Sequence, residues 1–354
     1  MTHAALPEQI KILIIRRDNI GDLVCTTPMI ASLRQHYPNA RIDALVNSYN
    51  VAVLSHNPHL DHVYAYTKGK HLTTGQSAWA NMWRRFRLYI ELLICRYDYI
   101  ILAGNGYIGR AAGMARRLLP RHIIGFTPDG KPVNGIDLPQ TVPTVPMHCV
   151  QVMAPLVAPL KIEGSPPGLV LAPDPVEVEK VVRLLKSTSW YRPETKMVGL
   201  HISARKPSQR WPTEHFVALA RRLHQQTGCG FMLFWSPGDE HNPHHPGDDR
   251  KAASIIAALQ SLPILPCPTQ HLQELIASLS VVDTMVCSDG GAMHVAAGLG
   301  KPMVCFFGQS DAHVWHPWGV PFELVQPASK QVADISVDEA LAAYDRLSHH
   351  SIPG

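Results

Sequence analysis

The feature that most constrains this chain is a rhythm that runs twice. Short apolar runs of strand length alternate with amphipathic segments of helix length, and the pattern stops and restarts around KIEGSPPGLVLAPDP (161–175). Such alternation builds parallel sheets covered by helices, because each parallel pairing needs a long crossover that a helix supplies. In the first round KILIIR (11–16), RIDALVN (41–47), HVYAY (62–66), YDYIILAG (97–104) and HIIGF (122–126) read as strands. LVCTTPMIASLRQHYP (23–38), SAWANMWRRFRLYIELLICR (77–96) and VQVMAPLVAPL (150–160) read as helices, and 127–146, rich in Pro and Gly, as a long loop. In the second round KMVGLHIS (196–203), CGFMLFWS (229–236), VVDTMVCSD (281–289) and PMVCFFG (302–308) are strands. TEHFVALARRLHQQTG (213–228) is a helix with Thr213 as cap and Gly228 as stop. The expectation is an α/β chain of two Rossmann-like, doubly wound domains facing a cleft, over 1–165 and 176–354. The Gly/Pro stretch 161–175 is the linker, and the last helix, SVDEALAAYDRLSHH, is free to pack back on the first domain.

A length of 354 residues suits two cores of ordinary size, and 46% hydrophobic with 17% charged residues is a globular balance. A net charge of +4 permits anionic substrates but lacks the basic stripes of a nucleic-acid protein, so no nucleic-acid partner is expected. The 20 histidines are scattered; the close pairs His244-His245 and His349-His350 lie in a Pro/Gly-rich loop and near the C-terminus. With no HExxH or Cys/His zinc spacing, neither a metal site nor a cofactor is expected. The seven cysteines include no CxxC and sit mostly in apolar runs, which reads as buried thiols in a reducing compartment. The start, MTHAALPEQI, lacks the basic and apolar regions of a signal peptide, and no apolar run reaches the roughly 18 residues of a membrane span. A cytoplasmic protein is expected, with a membrane-surface partner left open.

Four segments carry chemistry. RRDNIGDLVCTTP (16–28) places one carboxylate, Asp22, between a glycine and a helix expected to begin at Leu23, where it serves either as N-cap or as catalytic base. CSDGGAMHVAAGLGKP (287–302) runs a strand into Asp289, Gly290 and Gly291 and then a helix; free N–H groups and the helix dipole make an anion site there. His294, one turn in, is either part of that site or a satisfied core histidine. HISARKPSQRWPTEHF (201–216) gathers Ser203, Arg205, Lys206 and Arg210 in a loop after a strand, either cradling a diphosphate or forming a solvated basic loop. FWSPGDEHNPHHPGDDR (234–250) offers Asp239 and Glu240 to ribose hydroxyls or to solvent. Neither strand–helix junction carries GxGxxG, which disfavours a redox enzyme.

These segments together resemble the heptosyltransferase-type glycosyltransferases, glycosyltransferase family 9, which build the inner core of lipopolysaccharide. The resemblance rests on KILIIRRDNIGDLVCTTPMIASLRQHYPNARID, HISARKPSQRWPTEHF and SDGGAMHVAAGLGKPMVCFFGQSDAHVWHPWG, the last being the most specific. It implies the GT-B fold, with the acceptor on the N-terminal domain and the sugar nucleotide mostly on the C-terminal one. It makes Asp22 the general base, with Asn19, Gly21, Arg84 and Arg85 on the acceptor side. It makes Asp289, Gly290, Gly291 and His294 the donor-binding turn, with Ser203 and Ala204 near the donor phosphate and a looser match at Glu240. The family's Lys-x-Trp-Pro is here Gln-Arg-Trp-Pro, so Gln209 stands where a lysine is usual, and Arg205, Lys206 or Arg210 is left to supply the charge.

The reaction implied is inverting, metal-independent transfer of a sugar to an acceptor hydroxyl. The donor is ADP-L-glycero-D-manno-heptose by resemblance, and the acceptor a lipid A–core intermediate at the inner face of the inner membrane. Another nucleotide sugar, a nucleotide-sugar epimerase, or a non-catalytic sugar-nucleotide-binding protein are the alternatives. The segment WANMWRRFRLYIELLICR, with Trp79, Trp83, Arg84, Arg85 and Arg87, fits either peripheral contact with a phosphorylated lipid surface or an ordinary sheet-flanking helix with an arginine-rich solvent face.

Overall fold

A computed structural model of the protein describes residues 9–66, 78–242 and 246–350. The first eight residues and the pair His244-His245 therefore lie outside the described residues. The chain divides into two compact units, Met1–Ala172 and Pro173–Gly354.

Strands of the first unit are β1 (Lys11–Ile15), β2 (Arg41–Asn47), β3 (His62–Tyr66), β4 (Tyr99–Leu102), β5 (His122–Phe126) and β6 (Leu138–Gln140). Those of the second are β7 (Met197–His201), β8 (Gly230–Trp235), β9 (Ile264–Pro268), β10 (Thr284–Ser288), β11 (Met303–Phe306) and β12 (Phe322–Val325). Each set forms one six-stranded sheet, ordered β3-β2-β1-β4-β5-β6 and β12-β11-β10-β7-β8-β9, with every adjacent pair parallel. Both orders are the doubly wound 3-2-1-4-5-6 arrangement. In each sheet the order reverses beside the first strand, between β1 and β4 and between β7 and β10, and that reversal opens a crevice at the strands' carboxyl ends.

The central strands are buried on both faces, which is why they read as unbroken apolar runs: Ile12 to Ile15 and the whole of Gly230–Trp235 are buried. The edge strands β6, β9 and β12 escape the sequence reading. Two of them carry proline, Leu-Pro-Gln and Ile-Leu-Pro-Cys-Pro, and proline lowers the strand signal while remaining tolerable at a sheet edge.

Two expected helices are broken, each by proline. The segment 23–38 folds as Ile20–Val24 followed by Thr27–His36. Pro28 has no N–H for the Val24 carbonyl, and the Thr27 hydroxyl donates to that carbonyl instead, at 2.7 Å. The segment 150–160 becomes a short helix, Cys149–Val152, and a 3₁₀ stretch, Ala154–Leu160, that contains Pro155 and Pro159. Helix Thr213–Thr227 takes Pro212, not Thr213, as its N-cap residue, and Gly228 closes it in the left-handed conformation at φ 69°. The last helix, Val337–His350, contributes to the core of the second unit. Ala340, Ala343, Tyr344 and Leu347 recur at three- and four-residue spacing and join the core around Trp211, Phe216 and Phe306. All seven cysteines are free thiols, six of them buried.

Candidate active site

In the first unit the chain leaves β1 at the sheet's crevice and turns at once into helix Ile20–Val24. Its N-cap is Asn19, and Asp22 is the third helical residue, so the expected N-cap role for Asp22 is corrected by one turn. A carboxylate at that position reaches back to the free N–H groups of the helix start. Asp22 Oδ2 accepts from the Asn19 N–H at 3.3 Å and from Asn19 Nδ2 at 3.2 Å. Its other oxygen, Oδ1, accepts from Arg16 at 2.9 Å. Gly21 is buried in the same turn.

Arg16 directly follows the apolar run Ile12–Ile15 of β1, and it is 1% exposed. Its Nε lies 3.1 Å from Asp18 Oδ2, and its remaining NH group faces the Met153 sulfur at 3.5 Å. The Nε–Asp18 contact satisfies distance but not hydrogen-bond alignment, so Arg16 is held mainly through Asp22. The loop that carries it is pinned from three sides. The Asp18 carbonyl accepts from Asn47 Nδ2 (3.2 Å), Asn50 Nδ2 (3.0 Å) and Tyr49 Oη (2.7 Å), and both asparagines are buried. Burial, and then the charges of Asp22 and Asp18, push the Tyr49 phenol up to about 12, so it stays a donor at neutral pH. Asp22 is thus a partly exposed carboxylate on a backbone that cannot shift without breaking several hydrogen bonds. Arg84 and Arg85 are placed elsewhere in this unit, exposed on helix Ala78–Cys95.

In the second unit three loops meet at the corresponding crevice, those following β7, β10 and β11. Their common element is Gln209, which is buried; its Nε2 donates to Asp289 Oδ2 and to Ser310 Oγ, both at 2.7 Å. The residue that departs from the family lysine therefore ties the three loops together. Gln326 Nε2 fixes the third loop by donating to the carbonyls of Gly308 (2.8 Å) and Ser310 (3.1 Å). Gly308 has to be glycine, since a Cβ there would lie 2.3 Å from the Ser208 carbonyl oxygen.

After Asp289 the backbone runs extended through Gly290 into helix Gly291–Gly298. Gly290 is exposed, and a Cβ on it would meet nothing within 4 Å, so the helix N-terminus opens to solvent with its N–H groups available. His294 is buried, its ring edge-on to Trp315 with centroids 6.0 Å apart.

The β7 loop sorts its cations. Arg210 turns inward: Nε donates to the Ala204 carbonyl at 3.0 Å and NH1 lies 3.9 Å from the buried Asp248. Arg205 and Lys206 are exposed. Ser203 Oγ accepts from the Ser236 N–H at 2.9 Å, joining the β7 loop to the β8 loop. Glu240, on the β8 loop, pairs with Arg250 at 2.8 Å. Among the described residues no hydrogen bond links Glu240 to the Gln209 cluster.

Two residues of this architecture were not singled out by the sequence. Arg16 had one usable signal, its place directly after an apolar strand in the segment that carries Asp22. Lys251 had none. Its Nζ donates to the carbonyls of Ile202 (3.1 Å) and Trp211 (2.7 Å), bracing both ends of the β7 loop. Burial, and then Arg210, pull it down to about 8 against the opposing charges of Asp248 and Glu214. Among the described residues no three His, Cys, Asp or Glu side chains stand in a group that could hold a metal ion.

The chain is 23% identical to a lipopolysaccharide heptosyltransferase 3 from Escherichia coli over 84% of this chain and 83% of that one. Its fold matches the crystal structure of a family 9 glycosyltransferase from Veillonella parvula DSM 2008 with a TM-score of 0.80 at 16% identity, covering 97% and 98% of the two chains. It also matches the E. coli heptosyltransferase WaaC with ADP-2-deoxy-2-fluoro heptose, with a TM-score of 0.73 at 17% identity, covering 95% and 99%. These are GT-B proteins, and the two six-stranded units have that fold. The model of glycosyltransferase family 9 (heptosyltransferase) matches residues 85–341, so the chain belongs to that family and is a glycosyltransferase.

Proposed function

We propose that the protein transfers a heptose from an ADP-heptose donor to a hydroxyl of a lipid-borne lipopolysaccharide core acceptor, with inversion and without a metal ion. The observation that carries this reading is the pinned carboxylate of Asp22, held by the buried Arg16 at the crevice of the first sheet. An alcohol is a poor nucleophile at neutral pH, and a positioned carboxylate that takes its proton as the new C–O bond forms is what the transfer needs. As the hydroxyl oxygen bonds to the anomeric carbon, the bond from that carbon to the diphosphate breaks and ADP departs with the electron pair.

The second unit supplies the groups that receive that charge. The N–H groups at Gly290 and Gly291 head a helix, and the exposed Arg205 and Lys206 are the cations left for the diphosphate once Arg210 has turned to Ala204 and Asp248. Ser203, Ala204, Asp289 and His294 complete the donor side and Asn19 and Gly21 the acceptor side beside Asp22, while Arg84 and Arg85, on helix Ala78–Cys95, are assigned to the lipid-borne end of the acceptor. Glu240 meets Arg250 through Oε1, and its second carboxylate oxygen is assigned to a ribose hydroxyl. The choice of ADP-heptose is supported by the analogue bound to the E. coli structural neighbour and by the heptosyltransferase names of the relatives. A cytoplasmic protein working at the inner face of the inner membrane follows from that acceptor.

The test is a panel of nucleotide sugars against defined core acceptors, with products read by mass spectrometry and anomeric configuration by NMR. Heptosylated acceptor from ADP-heptose alone, with inverted configuration, is expected. Preferred transfer of another sugar, or isomerised donor in the absence of acceptor, would overturn the proposal.

A further inference from the structure

Helix Ala78–Cys95 has two apolar faces. One faces the core: Leu92 is buried, and the half-buried Leu88 and Cys95 pack beside it against the core that contains Ile100, Ala112 and Ala115. The other points away from that core. Trp79 is 77% exposed and Trp83 65%, with Met82 and Phe86 each more than half exposed, at three- and four-residue spacing. Ile94, 72% exposed, continues the stripe two turns on, and the rings of Trp83 and Phe86 stack with centroids 5.5 Å apart. Scattered surface hydrophobics are ordinary, but a contiguous stripe with two tryptophans marks a contact surface.

The charge around the stripe identifies the partner. Arg84, Arg85 and Arg87 flank it and are exposed, with Arg87 paired loosely to Glu91 at 3.6 Å. The neighbouring helix, Gly109–Arg117, ends in the exposed Arg116 and Arg117, and Tyr89 Oη ties the two helices by donating to the Arg117 carbonyl at 2.8 Å. Residues 78–121 contain eight arginines against two carboxylates, Glu91 and Asp98, a surplus of six positive charges in a chain whose total is only +4. The rest of the chain is therefore net negative. Tryptophan and phenylalanine with flanking arginine suit the boundary between acyl chains and anionic headgroups, where the indole ring finds both media and the guanidinium groups meet phosphate.

We propose that this face of helix Ala78–Cys95 docks the protein on an anionic phospholipid bilayer, with Trp79, Met82, Trp83 and Phe86 entering the headgroup boundary and the arginines lying against phosphates. The proposal deepens the reading above, which rests on a lipid-borne acceptor, but its test needs no transfer activity. The full chain is floated with phosphatidylcholine vesicles and with vesicles that also contain phosphatidylglycerol, beside the variant Trp79→Ser/Trp83→Ser/Phe86→Ser. The expected result is binding that requires phosphatidylglycerol, weakens at high salt, and drops at least about tenfold in the variant while its circular dichroism is unchanged. Should the variant fail to fold, lipids brominated in the acyl chain answer the same question, since they are expected to quench wild-type tryptophan fluorescence, and absence of quenching counts against docking. The proposal is overturned if wild type binds neither vesicle, binds both equally, or is matched by the variant. It is also overturned if wild type sediments as a dimer that the variant dissolves without any lipid binding, because the stripe then belongs to a second copy of the chain. A protein that docks but transfers no sugar would leave this inference standing and remove the proposed function.

Discussion

Arg16 and Asp22 meet at 2.9 Å at the end of β1, the guanidinium 1% exposed and the carboxylate side chain 16% exposed. Arg16→Met therefore leaves two acidic groups, Asp18 and Asp22, without their shared counter-charge. The expected cost is about 3 kcal/mol, toward the low end for breaking a buried pair because Asp18 keeps access to water. Urea unfolding measures it. Arg16→Lys keeps the charge but cannot span both acids with one planar group, so it is expected to recover most of the stability and little of the turnover.

Asp22→Asn keeps the shape of the side chain and removes its capacity to accept a proton. Transfer is expected to fall by about 10²- to 10⁴-fold, the usual worth of a positioned general base, with ADP affinity unchanged by calorimetry. Turnover near the wild-type rate would dispose of the assignment.

Gln209 holds Asp289 and Ser310 at 2.7 Å each. Gln209→Ala leaves both without their donor, and the loops after β10 and β11 lose their tie to the β7 loop. Donor KM is expected to rise about tenfold, as for loss of a charge-assisted hydrogen bond, with a smaller change in kcat. Gln209→Lys can still reach Asp289 and adds a cation, so its donor affinity should equal or exceed wild type. Equal damage in the two variants would show that the glutamine does not act through these bonds.

Lys251 gives a pH signature. Its folded-state pKa is lowered from 10.5 to about 8, chiefly by burial. Between those values the unfolded chain binds more protons, so stability rises with pH across the window. The contribution is fully present above 10.5 and is lost as pH falls through 8. A shift of that size corresponds to about 3 kcal/mol. Lys251→Met should flatten the stability profile between pH 8 and 10.5, and unfolding free energies that change with pH by the same slope in both proteins would speak against the burial argument.

Transfer is expected to proceed unchanged in EDTA, because helix N–H groups and the cations Arg205 and Lys206 are assigned the role that a divalent ion plays elsewhere. Activity that vanishes in EDTA and returns with magnesium would contradict this.

The sequence by itself determined the strands at the middle of each sheet, the twofold repetition of the α/β plan and the family. All of these follow from local period or from contiguous motifs: an apolar run long enough for a strand, a Gly-Gly before a helix, an aspartate after a glycine. The ends of elements were less legible, because proline acts through single missing hydrogen bonds. Pro28 split one helix and Pro155 and Pro159 dissolved another, while the prolines in β6 and β9 concealed edge strands. What only the tertiary structure decided is which residues meet. Gln209 and Asp289 are 80 positions apart, and Arg16 reaches the Met153 sulfur across 137. Composition placed Arg205, Lys206 and Arg210 on equal terms, and packing alone turned Arg210 inward to Ala204 and Asp248. Likewise the helix at 78–95 had to be seen against its sheet before its second apolar face could be distinguished from its first. Periodicity reports which residues share a side of a helix, and only the fold says which side the core already covers.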